Sequence, residues 1–151
     1  MLNSLSIKNY ALIEELNVNF DKGFSIITGE TGAGKSILLG ALGLVLGKRA
    51  DVTFLKQKEH KCIVEAEFLI NEYGLEQFFI DEDLDFERTT IIRREILPSG
   101  KSRAFINDAP VNLDVLKQFG AQLMDVHSQH DNLLLGELDY QRFVIDSYAQ
   151  N

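Results

Sequence analysis

The sequence predicts an α/β domain built around a phosphate-binding loop, with an antiparallel β-subdomain beside it. The first observation is a motif of the form G-x-x-x-x-G-K-[ST] at residues 29–36, between an apolar β-type run and a helical run. The second is a set of alternating apolar and polar runs that predict strands elsewhere. The third is composition: 151 residues, 45% hydrophobic and 25% charged, suit one domain with an ordinary core.

Three strands are predicted up to the motif. Residues 2–8 and residues 16–20 each alternate apolar with polar side chains, so the two runs are predicted to pair as a hairpin. A turn at residues 21–23 leads into the apolar run 24–28. We predict that this run is the strand that enters the glycine-rich loop.

Each residue type in the motif has a physical role. The glycines let the backbone curl so that successive N–H groups converge on one concavity, which also faces the positive N-terminal end of a helix predicted from about Lys35. Lys35 is expected to reach the β- and γ-phosphates of a nucleotide, and the Ser36 hydroxyl to ligate Mg²⁺. The predicted phosphate-binding residues are Gly29, Glu30, Thr31, Gly32, Ala33, Gly34, Lys35 and Ser36.

The helix after the loop, residues 37–46, has no polar face, so we predict that it is buried. Gly40 and Gly43 lie inside it, where a glycine costs roughly 1 kcal/mol relative to alanine. We therefore expect neighbours to pack closely against both glycines. Gly47 is expected to end the helix.

The second half of the chain is predicted to form the β-subdomain. A turn at residues 98–101 separates two of its strands and predicts a hairpin. A helix is predicted over residues 111–122, with Asn112 or Asp114 as its N-cap, and a further helical stripe starts at Glu137. The predicted strands cover residues 63–70, 89–97, 102–107 and 123–126.

Charge and cysteine content argue against several classes of protein. A formal charge of −8 argues against a general DNA-binding surface on this chain, because neutralising phosphates needs clustered Lys and Arg. Cys62 is the single cysteine, so an intrachain disulfide is impossible, as in proteins of reducing compartments. The polar N-terminus does not fit a signal peptide, and the apolar stretch 37–46 is too short to span a bilayer. We expect a cytoplasmic protein without membrane contacts.

The sequence offers no convincing match for the residues that nucleotide hydrolysis needs. Hydrolysis needs an acid on a neighbouring strand to hold Mg²⁺ and a residue that orients water. Asp125 and Asp146 follow apolar residues, but neither ends a convincing strand, so both are predicted to be structural. The usual guanine-reading segment, Asn-Lys-x-Asp, does not occur. We infer that catalytic parts lie outside this chain.

Three groups of polar side chains have alternative interpretations. The acidic run at residues 81–87 is interpreted as a solvated loop rather than a metal site. A zinc site near His127 is the minority interpretation, because zinc usually needs cysteines or a third histidine. The basic hairpin cluster is interpreted as a solvated face, with a DNA-facing role as the alternative. The metal candidates are Asp125, His127, His130 and Asp131, and the basic cluster comprises Arg93, Arg94, Lys101 and Arg103.

Several segments together resemble the RecN family of bacterial DNA-repair proteins, which are SMC-like ATPases with ABC-type heads. The resemblance covers nearly the whole chain. The glycine-rich loop alone is generic, whereas the His-x-Gln-His piece that starts at His127 is the most specific part. The segments are residues 8–10, 28–36, 46–51, 92–96, 100–107 and 125–131.

The resemblance implies that the chain is the N-terminal lobe of an ABC/SMC-type P-loop NTPase head. Residues 1–136 would run from the phosphate-binding loop to the Q-loop, and residues 137–151 would be the root of a coiled coil. The Walker B acid and the signature motif would lie in a C-terminal lobe. Two heads would sandwich two ATP molecules as a homodimer. The full-length protein would act on DNA in nucleoid-associated double-strand break repair by recombination.

The same resemblance implies roles for individual residues. Gln129 would be the Q-loop residue that contacts Mg²⁺ and the attacking water, which makes Lys35 and Gln129 the catalytic candidates and Ser36 and Gln129 the metal candidates. Lys8 and Asn9 would contact the phosphate or ribose of ATP. The chain alone is expected to bind nucleotide weakly and to hydrolyse none.

Two alternative functions remain open. The first is a small-molecule kinase with Arg93 and Arg94 as lid residues, although such kinases have a single strand before the phosphate-binding loop. The second is a scaffold in which bound ATP only stabilises dimerisation and is never hydrolysed.

Overall fold

A computed structural model describes residues 1–29, 32–127 and Ile145. A 3₁₀-helix at Val52–Phe54 lies within a long irregular connection between the first α-helix and the third strand. Within these residues, the helices lack the combination of length and apolarity that crossing a bilayer requires. The strands are β1 (Leu2–Tyr10), β2 (Ile13–Asn19), β3 (Cys62–Leu69), β4 (Thr89–Ile96), β5 (Ser102–Ile106) and β6 (Ala109–Val111), and the α-helices are α1 (Gly32–Val45), α2 (Glu76–Asp81) and α3 (Leu113–Leu123).

The strands form one antiparallel sheet in the order β2-β1-β3-β4-β5-β6. Both predicted hairpins, β1–β2 and β4–β5, are confirmed. The chain leaves the sheet after β2, forms α1, and returns as β3 beside β1. The helix that follows the glycine-rich loop is thereby connected at both ends to strands of the same sheet.

One face of the sheet forms the core. Strand β3 buries every second side chain, among them Val64, Ala66 and Phe68, which are fully buried. Helix α1 packs on this face against β3 and β4. The opposite face carries polar partners such as Glu65 opposite Arg93. This alternation is the pattern from which the strands were predicted.

Helix α1 begins at Gly32, three residues before the predicted start, and ends at Val45. The predicted stop residue Gly47 lies in the turn that follows, with a φ of +97°. The N–H of Gly47 donates to the carbonyl of Leu44 at 3.2 Å, and that of Lys48 donates to Gly43 at 2.9 Å. These two bonds form a Schellman motif. The predicted burial is wrong for the start of the helix, because residues 37–40 are only partly buried and full burial begins at Ala41.

The predicted close packing of the two helix glycines is confirmed. A methyl group added at Gly40 would lie 2.6 Å from the Tyr10 hydroxyl, and one added at Gly43 would lie 2.7 Å from the Lys48 side chain. The absence of side chains therefore lets β1 and the chain after α1 approach the helix. This approach offsets the low helix propensity of glycine.

Two predicted strands are wrong. The run 24–28 forms no strand, and Phe24 and Ile26 are 90% and 73% exposed. Residues 124–126 also pair with nothing in the described sheet, although Met124 has extended dihedral angles. An apolar run becomes a strand only when another strand satisfies its backbone groups. The described part of the chain supplies no such partner for either run.

Two elements were not predicted. Helix α2 is held by aromatic packing rather than by propensity, since Phe79 makes edge-to-face contacts with Phe86 and Phe119 at 5.3 and 5.4 Å between ring centroids. Strand β6 follows a two-residue turn at Asn107 and Asp108, whose φ values of 48° and 64° suit a type I′ hairpin turn. The Asn-Asp pair was a signal for this turn that the sequence interpretation missed.

Helix α3 has the predicted N-cap, because the Asn112 side chain accepts a hydrogen bond from the N–H of Val115 at 2.9 Å. The helix crosses the end of α1 at very short range. A methyl group added at Gly120 would lie 2.7 Å from the Leu46 carbonyl oxygen and 2.9 Å from its Cα. Backbone therefore touches backbone at this crossing, and only glycine fits.

We expect Gly120→Ala to lower the free energy of unfolding by about 1–3 kcal/mol, because the added methyl group overpacks against a backbone that cannot rotate away. Urea denaturation followed by circular dichroism measures this change. Gly34→Ala is the matched control, since its methyl group would meet no atom within 4 Å. Equal losses in the two variants would contradict the packing described for Gly120.

Candidate functional site

The glycine-rich loop leads directly into the N-terminal end of α1. Of the predicted residues, Gly29 and the backbone from Gly32 onward are described, whereas Glu30 and Thr31 lie outside the described residues. The first turn of α1 carries no acidic side chain. The partial positive charge of the helix end is therefore not neutralised by its own residues, as an anion site requires.

Lys35 lies in this first turn with an exposed side chain. It forms no ion pair with any residue that the structure describes. Ser36 is exposed beside it. An ammonium group without an acidic partner, next to a positive helix end, is suited to bind phosphate oxygens. The residues present thus fit the phosphate groups of a nucleotide.

A cavity of about 440 Å³ adjoins the loop, between the β1–β2 hairpin and the start of α1. Apolar side chains such as Leu16 and Ile37 form most of its lining, and Thr28, Gly29 and Lys35 complete it. The cavity thus joins an apolar wall to the phosphate-binding loop. Ligand sites commonly combine such a wall with a few polar groups.

Lys8 and Asn9 are neighbours in β1, but their side chains have different surroundings. The exposed Lys8 forms an ion pair with Glu15 across the hairpin, 3.5 Å from Nζ to Oε1. Asn9 is buried and has a φ of 54°, a left-handed conformation that asparagine tolerates better than most residues. The expected contacts of both residues with phosphate or ribose stay predictions.

Asn9 braces the irregular connection that precedes β3. Its Nδ2 donates to the carbonyls of Gln57 and His60 at 3.0 and 2.9 Å, and its Oδ1 accepts from the N–H of Gln57 at 2.6 Å. Both ends of the amide are therefore engaged by the backbone. These contacts favour an architectural role for Asn9.

The Q-loop candidate Gln129 lies outside the described residues, as do His130, Asp131 and Asp146. Just before them, His127 Nε2 lies 2.8 Å from Asp125 Oδ2. The described residues contain no group of three or more side chains that could hold a metal ion, including those of the acidic run 81–87. The metal interpretation that adds His130 and Asp131 to this pair stays a prediction.

The basic hairpin cluster is divided between the two faces of the sheet. Arg93 and Arg103 lie on the polar face, 3.5 and 3.8 Å from the Glu95 carboxylate, and Lys61 lies 3.3 Å from it. Arg93 also contacts Asp108 at 2.6 Å. Arg93 and Arg103 thus both have acidic partners on this face, and the alternative of a DNA-facing role stays a prediction.

Arg94 corrects the interpretation of the cluster as a solvated face. It points into the core and is 1% exposed. The signal for this was available, because Arg94 stands at a core-facing position of the β4 alternation, between Ile92 and Ile96. A charged residue at such a position indicates a buried polar contact.

The sequence of this chain is similar to those of known proteins over nearly its whole length. A protein-family model described as "AAA domain" matches residues 4–147. The chain is 44% identical over 150 residues to "DNA repair protein RecN" of Vibrio cholerae and 39% identical over 151 residues to the protein of the same name in Bacillus subtilis. These alignments cover 99% of this chain but 27% and 26% of the relatives. The chain thus spans about a quarter of their length.

Solved structures of SMC heads share the fold. One, described as the SMC head bound to the C-winged helix domain of ScpA, has a TM-score of 0.64 and 21% identity, covering 78% of this chain and 38% of that chain. A second, named "Structural biochemistry of ATP-driven dimerization and DNA stimulated activation of SMC ATPases", has a TM-score of 0.67 and 19% identity, covering 97% of this chain and 98% of that chain. The predicted fold, an N-terminal lobe of an ABC/SMC-type head, is confirmed.

We expect Asn9→Asp to lower the free energy of unfolding by about 2–4 kcal/mol, because a carboxylate cannot donate to the two carbonyls that Asn9 contacts and repels them. Aspartate tolerates the left-handed backbone as asparagine does, so the substitution changes the side-chain contacts without adding backbone strain. Urea denaturation measures the change. Lys8→Ala, which removes only an exposed ion pair, should stay within about 1 kcal/mol of wild type. A similar loss in both variants would contradict the bracing role of Asn9.

Proposed function

The chain belongs to the AAA-domain family, and on this premise we propose that it is the ATP-binding N-terminal lobe of an SMC-like, ABC-type ATPase head that acts in DNA repair. The observation that carries the proposal is the exposed Lys35 at the start of α1, whose first turn contains no acidic side chain. The identity of 44% and 39% to two RecN proteins supports the repair function. A structure of RecF with ATP, at 19% identity and a TM-score of 0.55, supports nucleotide binding through the shared fold.

ATP is the proposed ligand and Mg²⁺ the proposed metal ion. The backbone N–H groups of residues 29–36 and the Lys35 ammonium would hold the phosphates, and the Ser36 hydroxyl would hold Mg²⁺. Bound Mg²⁺ would offset the negative charge of the phosphate oxygens. The apolar cavity beside the loop could accept the nucleoside end of ATP. Gln129, in the proposed Q-loop, would contact the metal ion and orient water.

We propose that a further lobe completes this head. Phe24, Ile26 and Ile27 are exposed, although an apolar run that follows two strands usually joins a sheet. A groove of about 310 Å³ beside this run is lined by apolar residues that include Leu38, Leu42 and Met124. These surfaces support a second lobe that covers them. The chain spans about a quarter of the length of its relatives, which leaves ample polypeptide for that lobe.

The proposed lobe would supply the parts of the site that this chain does not carry. These are the Walker B acid and the signature motif, and two heads would then enclose two ATP molecules in a homodimer. Residues 137–151 would form the root of the coiled coil that connects the lobes, while residues 1–136 form the head. Lys35 and Gln129 are the catalytic residues proposed for this half.

DNA is the proposed partner of the full-length protein rather than of this surface. The chain has a net charge of −8, and the polar face of its sheet pairs Arg93 and Arg103 with acids. DNA contacts would then lie on other parts of the protein, which would act at the nucleoid in the cytoplasm. A small-molecule kinase is disfavoured, because β1 and β2 both precede the phosphate-binding loop.

We expect Lys35→Ala to weaken ATP binding by this chain about 10- to 100-fold, because a charge-assisted hydrogen bond contributes roughly 1.5–3 kcal/mol. Titration with a fluorescent ATP analogue in Mg²⁺ measures the dissociation constant. Lys101→Ala, which removes one exposed cation in the β4–β5 turn, is the matched control and should leave the affinity within about twofold. Unchanged affinity in Lys35→Ala would contradict the assignment of the site.

We expect no ATP turnover by this chain alone and turnover after mixing it with the C-terminal region of its full-length protein. The reason is that hydrolysis needs an acid that holds Mg²⁺, which the proposed lobe supplies. Release of inorganic phosphate measures the rate. Turnover by the chain alone that Lys35→Ala abolishes would contradict the split site. Absence of turnover in the full-length protein, with ATP bound, would favour the dimerisation scaffold.

A further inference from the structure

The C-terminal end of α1 is fixed by a charged side chain from the sheet. Arg94 of β4 donates through Nη1 to the carbonyls of Leu44 and Lys48 at 2.9 and 3.0 Å. Its Nη2 donates to the Ser102 hydroxyl on β5 at 3.3 Å. One guanidinium group therefore connects the last turn of α1, the chain after Gly47 and two strands of the sheet.

This contact has the charge that the helix end requires. The carbonyls at the end of a helix carry partial negative charge, and basic side chains near them are stabilising. The last turn of α1 contains no basic residue, so Arg94 supplies the positive charge from the sheet. Burial lowers the pKa of Arg94 from its ordinary value, the nearby Cys62 thiol opposes this shift, and the guanidinium remains a cation at physiological pH.

A buried guanidinium is costly unless its hydrogen bonds are made, and those of Arg94 are made only in part. Its Nε has no hydrogen-bond partner. Removing such a side chain would leave the buried acceptors that it serves without a donor, which is unfavourable. The carbonyls of Leu44 and Lys48 are the groups that gain from Arg94, and both belong to the end of α1.

The side contacts of α1 before its last turn leave its position along its own axis weakly determined. Its contact with β1 is made where Gly40 meets the Tyr10 hydroxyl, and its buried side chains, Ala41, Leu44 and Val45, are apolar. Apolar contacts are not directional. Hydrogen bonds to the helix end are directional, so Arg94, together with the α3 crossing at Leu46, restrains where the helix stands relative to β4.

We propose that Arg94 is a positioning residue for the phosphate-binding loop, holding the far end of α1 so that the loop keeps the geometry that binds ATP. The helix has 14 residues. It is therefore about 21 Å long, and its backbone hydrogen bonds transmit a shift at one end to the other. This inference rests on the proposed function, because the loop must bind ATP for its position to matter.

The test compares Arg94→Met, which keeps side-chain volume but removes the hydrogen bonds, with Arg94→Lys and Arg103→Met. Arg103 lies on the opposite face of the sheet with its side chain 58% exposed, so Arg103→Met is the matched control. We expect Arg94→Met to weaken binding of a fluorescent ATP analogue about tenfold, Arg94→Lys to weaken it less, and Arg103→Met to leave it within about twofold. Binding is measured at a temperature where circular dichroism shows each variant folded. Wild-type affinity in a folded but less heat-stable Arg94→Met would overturn the proposal.

Hydrogen exchange without nucleotide separates this inference from the proposed function. We expect Arg94→Met to speed amide exchange in the first turns of α1 more than in β3, whereas a purely structural loss would speed both alike. If the wild-type chain binds no ATP analogue, the proposed function fails, and the exchange result alone decides whether Arg94 positions the loop. If Arg94→Met does not fold, ATP-analogue binding and hydrogen exchange are both measured on Arg94→Lys instead. Wild-type affinity and wild-type exchange in Arg94→Lys would then overturn the proposal.

Discussion

The two ends of α1 have opposite requirements, and the structure of the described residues depends on meeting both. In the proposed function the N-terminal end must stay open and positive to receive an anion, and its first turn carries Lys35 and no acid. The C-terminal end must be closed, and the turn at Gly47 together with the guanidinium of Arg94 occupies its carbonyls. Small residues at Gly40 and Gly120 let β1 and α3 approach closely enough to hold the helix between them.

The sequence predicted the elements whose signals are local. The alternation of residues 2–8 and 63–70 gave β1 and β3, the turn at residues 98–101 gave the β4–β5 hairpin, and Asn112 marked the start of α3. The motif at residues 29–36 marked the start of α1 to within three residues. These signals depend only on side-chain period and turn chemistry, which neighbouring residues determine.

The failed predictions share a different cause. Residues 24–28 have the composition of a strand, but a strand exists only when a partner accepts its backbone hydrogen bonds, and composition does not report the partner. Arg94 was assigned to a solvated face because its type is polar. Asn9 received a ligand role only from the family resemblance, and that role stays a prediction. In the structure both are buried and donate to distant backbone carbonyls, at separations of about 50 residues in the chain. Only the fold brings such groups together.

The central claim is that this chain is one lobe of a head whose sheet and catalytic site are completed by further polypeptide. The most direct measurement is amide hydrogen exchange at residues 24–28, in the chain alone and in the full-length protein with ATP and Mg²⁺. The account predicts fast exchange in the chain alone and strong protection in the full-length protein, because the run gains a strand partner. Exchange that stays fast in a full-length protein that hydrolyses ATP would contradict it.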